Sequence, residues 1–525
     1  MATKAKKRSD KAQATPSIKP LFEGAEWDFD LLKRIYAICE QIGVEEMGLD
    51  IYPNQIEVIT AEQMLDAYAS IGMPLMYRHW SFGKHFAQEQ MTYRRGLRSL
   101  AYELVINSNP CISYVMEENS ATMQTLVIAH AAVGHNHFFK NNYLFKQWTN
   151  ADTILDYLAF AKDYIKACEE QYGIEVVEPI VDAAHALMRQ GISHHPRDPR
   201  QLKPAFIAAR EERRRVHEEE TYDDLYRTLP NFGEEKGDAH HAQPEDQTMI
   251  GLPEENLLYF LEKHAPRLKD WQRELIRIVR ILAQYFYPQR QTKMMNEGCA
   301  TFTHYEILNK MHQRGLLTDG AMLEFLHTHS SVVMQPPFHD QRYSGINPYA
   351  LGFAMMRDIQ RICEKPTDED RDWFPGIAGC GDTMGTLRDA WRDYRDESFV
   401  LQFLSPKVIR DFRLFTLHDA NNKPEYEVKA IHNERGYKNI RRSLARHYEV
   451  ALQDPDLRIT DADLSGGRRL TVTHNVRDGI LLDKTECDRT LQYLAQLWGY
   501  RVKLLEVDSV SGKTLREQEV LPLPS

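Results

Sequence analysis

The chain has 525 residues, 42% of them hydrophobic and 27% charged, with a net charge of −11 at neutral pH. That apolar content supports a sizeable folded core rather than disorder, and the acidic balance argues against nonspecific nucleic-acid binding, which needs clustered Lys and Arg. Seven dispersed cysteines with no CxxC pair read as reduced thiols in the cytoplasm; no run of about 18 apolar residues predicts a membrane span, and the basic start lacks the apolar stretch of a secretory signal.

Residues 1–25 are Lys-, Ala- and Pro-rich and read as a disordered, solubilising tail. From Trp27 apolar residues recur near a period of 3.6, and helices are predicted over 61–71, 84–105, 121–147, 152–170 and 175–190. Pro196, Pro199 and Pro204, then a charged run from Arg210 to Glu220, mark a polar connector over 191–248. Helices resume at 253–287, 291–314, 318–328 and 347–364, and 366–380 reads as a loop. Near residue 405 the period switches to two. Strands are predicted at 410–418, 426–432, 447–453, 456–464, 468–474 and 500–507, with a helix at 484–498. Ser465-Gly466-Gly467 reads as a hairpin turn between two of these strands. The expected class is α+β: a large, predominantly α-helical N-terminal domain over 26–405, followed by a small α+β C-terminal domain over 406–525.

No Walker, dinucleotide, HExxH or GxSxG signature is present, so nucleotide-dependent and Ser-triad chemistry have no sequence support. The best chemical candidate is the apolar helical stretch Val127 to Asn142, which holds His130, His135 and His137. Imidazole is the commonest transition-metal ligand at neutral pH. On a regular helix His130 and His137 share a face, whereas His130 and His135 point about 140° apart. The latter two converge only if the helix widens into a π-bulge, which Gly134 permits. The alternative is a pair of core histidines satisfied by backbone carbonyls.

A second candidate pairs Glu297 with His304, seven residues apart and so on one helix face, about 10.5 Å apart along the axis. Small Gly298, Cys299 and Ala300 let another element approach. Long side chains can still meet one ion between them, or Glu297 is a candidate base beside an ion held by His304; a buried salt bridge is the alternative. A third stretch carries His327 and His329 at turn-like spacing and leads through a Pro-rich segment to Asn347. Two shorter stretches add His79 and Lys84, in an anion-loop-like mix of rings and cations, and Glu103, on a predicted apolar helix where a carboxylate needs a partner. Paired His240 and His241 read as part of a flexible surface loop.

Five strings, His79 to Lys84, Tyr102 to Asn107, His130 to Asn142, Met295 to Gly298 and Ile346 to Phe353, resemble the SpoVR (stage V sporulation protein R-like) family, in order along nearly the whole chain. The chain departs from that family's usual text at Cys299, where Trp is common, and at Thr303-His304, where Trp-His is. The resemblance implies a bacterial stress- and stationary-phase protein, linked to the peptidoglycan cortex in spore formers, working beside a PrkA-like serine kinase and a von Willebrand A-like partner. It brings no reaction with it. Two readings follow. One is a metal-dependent hydrolase of a peptide or amide bond, with His130, His135 and His304 holding zinc, iron or manganese and Glu297 or Glu103 as base. The other is a noncatalytic assembly or regulatory protein.

Overall fold

The structure, a computed structural model, describes residues 19–69, 77, 79–80, 103–194, 251–337, 340, 342–343, 345–418, 427–430, 432–464 and 466–522. Lys84, His240, His241, most of the connector and most of the basic tail lie outside these residues. The chain divides into two compact units, one from residues 1–158 with 292–445, the other from 159–291 with 446–525. The α+β class holds: helices dominate, and a four-stranded sheet lies near the C-terminus.

The first unit is built round the helix Lys293–Gln313, which buries residues on every side, from Met294 and Met295 to Leu308 and Met311. Two elements approach it closely at glycines. A methyl group on Gly134 would sit 2.6 Å from the Ala300 Cα, and one on Gly298 would sit 2.7 Å from the Gly352 carbonyl carbon. Both lie well inside van der Waals contact, so these positions admit no side chain without backbone movement. The partner elements are the segment Ala129–His135 and the helix Pro348–Glu364. The first turn of the central helix is held from outside by buried Asp396, whose carboxylate oxygens accept the amides of Met294 at 2.8 Å and Met295 at 2.9 Å. These are among the amides a helix start leaves without an internal partner.

This unit also contains a three-stranded sheet that periodicity did not predict. Its strands are β1 (Asn54–Ile59), β2 (Glu103–Ile106) and β3 (Cys111–Met116), in the order β1-β3-β2, with β1 and β3 parallel and β2 and β3 antiparallel. Glu103 therefore opens a strand, which corrects its placement on a helix. The run Leu104-Val105-Ile106 is short and apolar, and periodicity cannot tell such a run from a buried helix. A small antiparallel pair, β4 (Thr416–His418) and β5 (Glu427–Ala430), lies later in the same unit.

Three further corrections concern helices. His327 and His329 do not sit at a turn; they lie on the helix Asp319–Val332, capped at Thr318 and running past the expected end at 328. The stretch 366–380 contains a short helix, Asp368–Trp373, closed by a Thr367/Asp370 capping box. Residues 447–453, expected as a strand, are the end of the helix Glu434–Tyr448 and the turn Val450–Gln453.

The second unit carries the sheet β6 (Leu457–Ala462), β7 (Leu470–Val476), β8 (Val502–Asp508) and β9 (Thr514–Val520), paired in chain order. The β6–β7 and β8–β9 pairs are antiparallel. β7 and β8 are parallel and joined by the helix Lys484–Trp498, as a parallel connection requires.

Candidate metal centre

Between Ile128 and Asn136 the helix widens into a π-segment, Ala129–His135. Its i→i+5 pattern brings residues five apart onto one face, and the rings of His130 and His135 meet at 4.7 Å between centroids. Small side chains at Ala131, Ala132 and Gly134 make room for the widening. Outside groups take up carbonyls it exposes: Asn54 Nδ2 donates to the Ala132 carbonyl at 2.9 Å, and the Cys299 thiol points to that of Gly134 at 3.8 Å.

Two carboxylates close on this imidazole pair. Glu103 arrives from the start of β2, with Oε1 3.0 Å from His130 Nε2 and 3.9 Å from His135 Nε2. Glu297 arrives from the central helix, with Oε2 3.5 Å from His135 Nε2 and 3.9 Å from His130 Nε2. The imidazole side chains are 4% and 8% exposed and the carboxylates 18% and 17%, so the rings form a floor and the acids its more open side. His130 Nε2 and Glu297 Oε2 are buried and make no well-aligned hydrogen bond. Donors bound about 2.0–2.1 Å from one ion stand roughly 3–3.5 Å from each other. Glu103, His130 and His135 have the proximity needed to hold a metal ion, and a set of imidazole nitrogens and carboxylate oxygens suits zinc, iron or manganese.

Behind the floor the rings are held from their other nitrogens. His135 Nδ1 meets Asn296 Oδ1 at 2.9 Å. An amide oxygen only accepts, so His135 carries its hydrogen on Nδ1 and turns a lone pair on Nε2 toward the carboxylates. His130 Nδ1 meets His304 Nδ1 at 2.8 Å, and His304 Nε2 meets His329 Nδ1 at 2.9 Å. The two nitrogens of His304 thus face His130 and His329. It lies behind the floor and supports His130, a different place from the ligand position expected for it. His329, on the helix Asp319–Val332, ends this file of rings among Phe325, Phe353 and Tyr305.

The electrostatics follow the geometry. Burial presses His130 toward neutrality, but Glu103 and Glu297 outweigh it and hold its pKa up to about 9. His135 is pushed down by burial and by the charge of His130. His304 lies well below the usual histidine range, through burial and then its imidazole neighbours. Burial brings His329 down to about 4, with His130 and Arg357 adding to it. Burial works against ionisation of Glu297, yet His130, His135 and Tyr349 keep its pKa below the ordinary carboxylate range.

The remaining sequence candidates lie elsewhere. His137 is buried on another face, with Nδ1 3.0 Å from both the amide and the carbonyl of Asp50, and burial takes its pKa down to about 4. His327 is exposed, and His79 is half-buried beside Trp80. Asn347 caps the helix Pro348–Glu364, accepting the Tyr349 amide at 3.0 Å while its own amide group donates to the carbonyls of Val332 and Met334. Sequence reasoning gave no role to Asn296, Tyr349 or Asp396. Asn296 stands next to Glu297 and Tyr349 lies within the stretch Ile346 to Phe353, which were the available signals; nothing local marks Asp396.

Residues 26–453 match the family described as SpoVR like protein, and residues 455–509 match the SpoVR-like C-terminal domain. A relative in Escherichia coli (strain K12), the uncharacterized protein YcgB, is 51% identical over 489 residues, covering 92% of this chain and 93% of its own. No solved structure matches.

Proposed function

The chain belongs to the SpoVR family, and we propose that this member is a metal-dependent hydrolase acting on a peptide or amide bond. The observation that carries the reading is the convergence of His130, His135, Glu103 and Glu297, from three separate elements, with cross-distances of 3.0 to 3.9 Å. Two imidazoles and one carboxylate are a ligand set of catalytic zinc sites, which leave a coordination position open. In this reading His130, His135 and Glu103 hold the ion. Glu297, kept ionised by its neighbours, accepts the proton of the attacking water on a carboxylate oxygen and passes it to the leaving amine. A bound divalent ion would supply Lewis acidity, lowering the pKa of water and polarising the carbonyl. Asn296 and His304 orient the imidazoles.

The proposal carries with it a cytoplasmic setting, in keeping with seven free cysteines, and a stress- and stationary-phase role beside a PrkA-like kinase and a von Willebrand A-like protein. Among the described residues no helix is long and apolar enough to cross a membrane.

Elemental analysis of protein purified without a His tag tests the reading, together with hydrolysis assays on peptidoglycan-derived peptides and simple amides. The expected result is about one equivalent of zinc, iron or manganese, and cleavage that Glu297→Gln abolishes while keeping the metal. A folded, metal-free wild type that takes up none of the three ions on addition would sink it and leave the noncatalytic assembly role.

A further inference from the structure

The helix Pro348–Glu364 ends beside the loop that leads to the helix Thr383–Asp393. Gly379 and Gly381 have φ of +75° and +74°, a region that glycine alone enters freely. Their amides donate to the carbonyls of Ile362 at 2.9 Å and Cys363 at 3.0 Å. Cys380, between these two anchors, is therefore held against the helix end at Cys363. Thr386 Oγ1 lies 3.6 Å from Cys363 Sγ and 3.8 Å from Cys380 Sγ, so both thiols gather at one hydroxyl. Cys363 is buried and Cys380 exposed.

We propose that Cys363 and Cys380 form a redox-sensitive dithiol, in which peroxide oxidises exposed Cys380 and buried Cys363 resolves it to a reversible disulfide. The Cys380 thiol gives its proton to solvent, its thiolate attacks one peroxide oxygen, the O–O bond breaks, and the second oxygen leaves as hydroxide, which takes up that proton to become water, giving a sulfenic acid. Cys363 sulfur then attacks that sulfur, the S–O bond breaks, and a second water departs with the thiol proton. Two thiols lose two electrons in total, and one peroxide is reduced to two waters. Each feature fits one role. The attacking thiol is open to solvent, the resolving thiol is protected, and the paired backbone hydrogen bonds hold both before reaction. The electrostatics agree: slight burial opposes ionisation of Cys380, but its Asp382, Cys363 and Thr386 neighbours together hold it below the ordinary thiol range. Burial instead pushes Cys363 up to about 11. A low-pKa accessible thiol beside a resolving partner is the arrangement that oxidises selectively.

The test uses the reduced full-length chain, treated with equimolar hydrogen peroxide, blocked with iodoacetamide and mapped after trypsin. The seven thiols should fall by two. One joined peptide should link residues 362–371 to 372–388, and dithiothreitol should restore both thiols. Cys380→Ser should give no joined peptide and keep its remaining thiols. Cys363→Ser should instead stop at a sulfenic acid on Cys380 that dimedone labels. The proposal is overturned if the wild type accumulates sulfinic acid on Cys380 without the joined peptide, or if Cys380→Ser loses two thiols as readily as the wild type. Metal content plays no part in either readout, so this outcome is separable from that of the hydrolase reading.

Discussion

His135 gives its Nδ1 hydrogen to Asn296 across 2.9 Å, and Asn296 is the chain neighbour of Glu297. One turn of the central helix thus fixes the ring direction of one imidazole and delivers a carboxylate to the same point. Removal of such an outer partner typically costs 10–100-fold in metal affinity. Asn296→Ala should weaken binding of added zinc by about that factor in a chelator competition titration, with the far-ultraviolet circular dichroism unchanged. Equal affinity in both proteins would show that the contact does not orient the ring.

Glu103 and Glu297 approach the same imidazoles but should separate in their effects. Glu103→Ala should remove metal, because the proposed site loses one of its three ligands; Glu297→Gln should retain metal and lose turnover. Metal content by mass spectrometry and amide hydrolysis, measured on the same preparations, distinguish them. If the two variants lost metal equally, the division of roles would be wrong.

The file His130–His304–His329 predicts a graded result. His304→Ala removes the support of His130 Nδ1 and should lower metal occupancy, whereas His329→Ala, one ring further out, should lower it less. The reverse order in elemental analysis would contradict a supporting role for His304.

Close packing at Gly134 makes a stability prediction. A methyl group there would meet Ala300 at 2.6 Å, so Gly134→Ala should cost about 1–3 kcal/mol, read as a lower urea midpoint. Because the same residue lies in the π-segment, metal occupancy should fall with it. A midpoint within error of the wild type would show that the segment relaxes freely.

The second unit offers a pH prediction through His194, whose Nδ1 lies 2.8 Å from Glu255 and whose Nε2 lies 3.4 Å from Asp454. Burial opposes its charge, but Asp454 and Glu255 raise its pKa to about 9. The folded value exceeds the ordinary histidine value of 6.5, so this stabilisation is full below pH 6.5 and is lost as pH rises through 9. The contribution is on the order of 1–3 kcal/mol. The urea midpoint should fall between pH 6.5 and 9, and His194→Gln should flatten that slope. An unchanged slope in the variant would assign the pH dependence to other groups.

Much of the helical framework was legible from the period of its apolar residues, and with it the central helix that carries both Glu297 and His304. The condition for His130 and His135 to meet was also legible, since a spacing of five misses on an α-helix and Gly134 allows a wider one. What periodicity could not supply was β2. Leu104, Val105 and Ile106 are apolar whether the run is strand or helix, and only pairing with β3 decides. Glu103 reaches the imidazoles because that strand begins beside the π-segment, and residues 27 and 32 positions away in the chain carry no trace of the contact. The same holds for Cys363 and Cys380, whose meeting depends on backbone hydrogen bonds between a helix end and a glycine-flanked loop. Residue type and local period are written in the sequence; proximity between distant segments is set by how the whole unit packs, and that is where both sites arise.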